Sequence, residues 1–91
     1  MPINEIITGN QTSQHAKPAA DISEVSVVNT TGIGSVILEY SIDDGNTWYK
    51  VSSIPLMSKS CEMNITTYDH TVLYRFRAIE VGDKAVVHFG P

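Results

Sequence analysis

Ser41-Ile42-Asp43-Asp44-Gly45-Asn46-Thr47-Trp48 is a polar turn set between two runs of strand-forming residues. An Asp-Gly pair flanked by apolar alternation is the strongest short-range hairpin signal a sequence carries. The run before it, Ser35 to Ile42, alternates cleanly. Val36, Leu38, Tyr40 and Ile42 are assigned to one face, and Ser35, Ile37, Glu39 and Ser41 to the other. The run after it, Thr47 to Val51, is the expected return strand.

The same texture extends outward. Val72 to Ile79 places Val72, Tyr74, Phe76 and Ala78 on one face against Arg75 and Arg77 on the other. Glu39 is a cross-strand partner for the two arginines. Cys61 to Thr66 reads as a strand with Cys61, Met63 and Ile65 inward, and Ile22 to Val28 as one with Val25 and Val27 on a shared face. Asn29 to Gly34 is a turn rich in Gly and Asn. Ser52 to Ser60 holds Pro55 and reads as a connection, Tyr68-Asp69-His70 as a turn, Gly82-Asp83 as another, and Ala85 to Phe89 as the closing strand. About six strands therefore follow residue 21, with a seventh over Ile3 to Thr8. Turns at this interval predict an all-β antiparallel sandwich or small barrel. No segment carries a helical stripe.

Residues 9–21 are polar, small and Pro-containing, without periodicity. They predict an extended N-terminal arm over residues 1–21, followed by one β-sandwich domain over 22–91. A chain of 91 residues with 42% hydrophobic content can bury one thin core. Oligomerisation is a common remedy for a core of that size.

The net charge of −4 and a total of six Lys and Arg argue against nucleic acid as a partner. No run approaches the length needed to span a bilayer, so no membrane partner is expected. Cys61 is the sole cysteine, which excludes an intramolecular disulfide. The N-terminal residues carry no basic region followed by an apolar one, and synthesis in a reducing cytoplasm is the expectation.

No catalytic pattern emerges. Asp43 and Asp44 are adjacent on one turn, which rarely gives facing carboxylates, and a calcium loop needs more oxygen ligands at set intervals. His15, His70, His88 and Cys61 lie 9 or more positions apart, without the paired spacing of a metal site. There is no Gly-x-Ser-x-Gly elbow and no phosphate-binding glycine loop. The expectation is a protein that is not an enzyme, with no cofactor, no metal and no catalytic residue.

Three resemblances add to this reading. Ser41-x-Asp43-x-Gly45-x-Thr47-Trp48 resembles the Asp-box of sialidases and other β-propeller proteins. In those families the box is a folding element, and the resemblance implies a structural turn built from Ser41, Asp43, Gly45, Thr47 and Trp48. One box cannot make a propeller, so sialidase activity does not follow.

Leu38 to Val51 followed by Leu73 to Gly82 is similar to the middle strands of fibronectin type III and immunoglobulin-like sandwiches. The Trp usual on the second strand of those domains is absent, and the tyrosine-corner position is not cleanly matched.

Over most of its length the chain resembles small tailed-bacteriophage virion proteins of the head-decoration (cement) or tail-accessory type. It shares with them an arm rich in Gln, Thr, Ser and Ala, a Val-Asn-Thr-Thr-Gly-Ile-Gly turn and a single Glu-Tyr-Ser-x-Asp-x-Gly-x-Thr-Trp hairpin. That resemblance implies a non-enzymatic structural protein of the virion, made in the host cytoplasm. It would decorate or cement a capsid through contacts with the major capsid protein or another virion protein, and form a dimer or trimer. The interface residues expected are Trp48, Tyr49, Arg75, Arg77, His15 and Lys17. The alternative is a carbohydrate- or protein-binding sandwich module on a tail or cell surface, with Trp48 or Tyr49 as a platform for a glycan ring.

Overall fold

The computed structural model describes residues 3–51 and 60–90. Seven strands form two antiparallel sheets, with no helix among the described residues. They are β1 (Ile3–Gly9), β2 (Ile22–Asn29), β3 (Ser35–Ser41), β4 (Tyr49–Lys50), β5 (Ser60–Thr66), β6 (Leu73–Ile79) and β7 (Val81–Gly90). One sheet has the order β1-β7-β2-β5, the other β4-β3-β6. The all-β, two-sheet expectation is borne out.

Strand alternation builds the core. Ile3, Ile7, Val25, Val27, Val87 and Phe89 of the first sheet meet Val36, Leu38, Phe76 and Ala78 of the second in one buried cluster. Cys61, Met63 and Ile65 pack against it half-buried, because β5 is the flank of the larger sheet. Each large side chain buried there contributes about 1.5–3 kcal/mol.

The expected N-terminal arm is corrected. β1 pairs with β7 from Ile3↔Phe89 to Ile7↔Ala85, and Ile3 and Ile7 lie in the core. The chain then crosses to the other sheet, where Thr12 bridges Arg77 and Ala16 bridges Tyr74. The Ala16 and Tyr74 amides each donate to the other's carbonyl at 2.9 Å, and the buried Ser13 hydroxyl accepts from the Phe76 amide at 2.8 Å. A segment without apolar periodicity is held because the unpaired edge of β6 needs backbone partners. The described part of residues 1–21 thus shares its core with the rest of the chain.

Other boundaries shift. Thr47 and Trp48 belong to the turn, so the return strand shortens to β4. β3 ends at Ser41, and Ile42, expected inward, is 71% exposed. The expected turn at Gly82-Asp83 lies inside β7, and the chain instead reverses at Glu80, at φ 50°. This corner carries the chain from one sheet to the other. Gly34, at φ 80°, sits so close to it that a Cβ there would stand 2.3 Å from the Glu80 carbonyl oxygen. The connection expected over Ser52 to Ser60 falls outside the described residues, except for Ser60, which begins β5.

Candidate functional site

The turn after β3 is closed by its own side chains. The Ser41 hydroxyl donates to Asp43 Oδ1 at 2.8 Å and accepts from the Gly45 amide at 2.9 Å. Asp43 Oδ1 also accepts from the Thr47 amide at 2.8 Å, and Asn46 Nδ2 donates to the Asp43 carbonyl at 2.8 Å. The Thr47 amide, with the Ser41 and Thr47 hydroxyls, holds the Asp43 carboxyl below the usual aspartate range, since each of these bonds favours the ionised form. Asp44 and Gly45 take the left-handed backbone, at φ 63° and 91°. Gly meets that demand without strain, and Asp tolerates it better than most residues.

Trp48 completes the turn by donating from Nε1 to the Gly45 carbonyl at 3.0 Å. Above Gly45, Trp48 Cζ2 and Leu73 Cδ1 lie 3.7 and 3.8 Å from where a Cβ would be. Leu73 is buried yet stands outside the central cluster. The turn therefore folds over the outer face of the β4-β3-β6 sheet and makes a second, small apolar contact there.

That outer face is more covered than alternation suggested. Glu39 is only 6% exposed and Ser41 fully buried, where both were assigned to the face away from the core. The cover comes from neighbouring side chains. Arg75 Nε donates to Glu39 Oε1 at 3.0 Å and Arg77 Nε to Oε2 at 3.3 Å, so one carboxylate holds two guanidinium groups. The Arg75 guanidinium carbon stands 4.2 Å from the Trp48 ring centroid, a cation–π geometry. The His15 ring lies 6.1 Å from the indole, at 40° to it.

The fold thus brings His15, Trp48, Arg75 and Arg77 together around Glu39. Two of the four hold one carboxylate, and His15 arrives from the segment that borders β6. Tyr49 is not part of this group. It pairs with Tyr40 on the opposite face of the sheet, ring centroids 5.6 Å apart, and is 48% exposed. Lys17 is exposed one residue beyond Ala16 and makes no ion pair with a described residue.

Both arginines bond Glu39 through Nε alone, and neither Nη group of either residue bonds a described residue. The patch can therefore present two pinned guanidinium edges to carboxylates or carbonyl oxygens. Reading from sequence named the arginines and their partner. It missed that Glu39 is buried and that Leu73 sits under the turn. The register that sets Ser41 opposite Leu73 and Glu39 opposite Arg75 appears only in the folded sheet.

Elsewhere, His70 Nε2 meets Asp21 Oδ1 at 3.0 Å in an exposed pair. A shallow hollow of about 290 Å³ over β2 and β5 is lined by Glu24, Val25, Ser26, Glu62, Met63 and Asn64, on the other sheet from the arginine patch. Among the described residues no group of three or more His, Cys, Asp or Glu is placed to share a metal ion. No protein-family model, no curated protein and no solved structure matches this chain.

Proposed function

We propose that this chain is a non-enzymatic structural protein of a phage particle that decorates or cements the capsid through protein–protein contacts. The observation that carries the adhesive part is the outer face of the β4-β3-β6 sheet. There Trp48 and Arg75 stack, and Glu39 fixes Arg75 and Arg77 with their Nη groups turned to no described partner. Trp and Arg dominate binding energy at protein interfaces, and prior rigidity lowers the entropy lost on docking. The virion part rests on the sequence resemblance given above. In this reading the major capsid protein or another virion protein is the partner, and the chain works as a dimer or trimer in the virion. Contacts that are weak singly add up over a lattice through avidity.

The immunoglobulin-like reading is supported by the β2–β5, β3–β6 and β3–β4 pairs. The last strand departs from it, lying between β1 and β2, whereas in immunoglobulin domains it follows beside the strand before it.

The test is binding of the purified chain to particles stripped of it, with the particle's disruption temperature as readout. Wild type should raise that temperature, and Arg75→Ala with Arg77→Ala should abolish the rise. A wild-type chain that neither binds nor protects the particle removes the proposal. A second reading, glycan recognition, is favoured by the exposed Tyr49 beside Tyr40. Loss of glycan-array signal in Tyr49→Ala would support it.

A further inference from the structure

A β-sandwich must manage every sheet edge, because unpaired backbone groups invite another strand. Among the described residues, three of the four edges are guarded. β4 is two residues long. β6 is bordered by residues 11–16, which take its outward hydrogen bonds. β1 carries a register shift between Ile7 and Gly9, and its Glu5 carboxylate is engaged by the Gln14 amide at 2.8 Å.

Among the described residues β5 has none of these devices. It pairs with β2 in seven consecutive positions, Ile22↔Thr66 to Val28↔Ser60, without a bulge. It holds no proline, and its inward residues Cys61, Met63 and Ile65 are uncharged and half-buried. Among the described residues no strand lies on its far side. Alternate backbone N–H and C=O groups of such a strand point away from the sheet.

The sequence of β5 is complementary to itself. Antiparallel pairing about a two-fold axis at Met63 sets Ser60 opposite Thr66, Cys61 opposite Ile65, Glu62 opposite Asn64 and Met63 opposite its own copy. No like charges meet. The inward row becomes one apolar strip across the joint, extending the core of each copy over its half-covered flank. The closed, isologous contact that results is the commonest form of homodimer.

We propose that β5 is a homodimerisation edge that joins the four-stranded sheets of two copies into one continuous sheet. This goes beyond the reading above by assigning the self-contact to an edge remote from the arginine patch, and it does not depend on the particle partner.

Sedimentation equilibrium of the full chain tests it, together with two charge variants on the exposed face of β5. Asn64→Lys gives each dimer two favourable pairs with Glu62 of the other copy and should tighten Kd about two- to thirtyfold. Glu62→Lys combined with Asn64→Lys sets like charges opposite and should loosen it by a similar factor. Within one copy the described residues opposite these positions are Ser26 and Glu24, so far-UV circular dichroism should be unchanged. Met63→Cys in a Cys61→Ser background should form a disulfide-linked dimer in a glutathione redox buffer, while Cys61→Ser alone should not. A chain that is monomeric in both wild type and Asn64→Lys overturns the proposal, as does a dimer whose Kd neither charge variant moves. A Kd that responds without the Met63→Cys crosslink overturns the two-fold register at Met63.

Discussion

Arg75 lies over Trp48, its guanidinium carbon 4.2 Å from the ring centroid, while its Nε is bonded to Glu39. One side chain from β6 thus ties together the turn after β3, the middle of β3 and its own strand. Trp48 and Glu39, the two residues that the rest of the candidate contact surface touches, meet at that junction, which makes it accessible to simple variants.

Glu39→Ala should cost about 1.5–3 kcal/mol in urea unfolding, because a buried acceptor of two charged hydrogen bonds is lost. Arg77→Ala should cost under about 1 kcal/mol, since Arg77 is the more exposed donor and its pair is partly screened. Equal costs for the two would contradict the geometry.

Leu73→Ala should destabilise by about 2–4 kcal/mol although Leu73 is outside the central cluster, because the turn encloses it. Trp48 is the only tryptophan, and its ring and Leu73 flank the same point above Gly45, so its emission should shift to the red in the same variant as the turn loosens. An unchanged spectrum would separate Trp48 from Leu73.

The pH dependence follows from Asp43 and Asp69. The Thr47 amide and Ser41 hydroxyl lower the first, and the Thr71 hydroxyl and amide lower the second. A folded pKa below the unfolded value, about 3.9 for aspartate, contributes stability at higher pH. That contribution is lost as pH falls through the folded value. Melting temperature should therefore be insensitive to these groups near neutrality and drop at acid pH, less steeply in Asp43→Asn. Carboxyl NMR titration of Ser41→Ala should find the Asp43 pKa raised toward the free value.

Gly34→Ala should cost about 3 kcal/mol or more, since the added Cβ meets the Glu80 carbonyl at 2.3 Å on a backbone at φ 80°. Gly9→Ala, at φ 57° with nothing within 4 Å of the new Cβ, should cost about 1–2 kcal/mol from backbone conformation alone. Thermal melts of the two variants distinguish close approach from left-handed strain.

Deleting residues 1–21 should abolish the cooperative unfolding transition. A free arm would be dispensable, but this segment supplies Ile3, Ile7 and Ala16 to the core and covers the outer edges of β7 and β6. A truncated chain that melts like wild type would restore the arm.

The strands rich in β-branched and aromatic residues were legible one by one. The alternation of Val72 to Ile79 and of Val25 with Val27 is a local property, set by the two-residue repeat of the pleat. The turn at Asp43 to Asn46 was legible for the same reason, its hydrogen bonds joining residues within four positions of each other. Glu39 as partner of the two arginines followed once β3 and β6 were taken as neighbours.

What the linear pattern left open were choices between edges and faces. Residues 12–16 have no periodicity to announce a strand, and they are held by backbone groups of β6 far away along the chain, Ala16 by Tyr74 and Thr12 by Arg77. The placement of β7 between β1 and β2, the burial of Glu39 and the exposure of Ile42 have the same origin. Local alternation states which residues of one strand share a side, and it is silent on which sheet that strand joins. Pairing satisfies backbone donors and acceptors that every residue type but proline carries alike. That decision is made by the whole chain closing on itself, and side-chain chemistry only biases it.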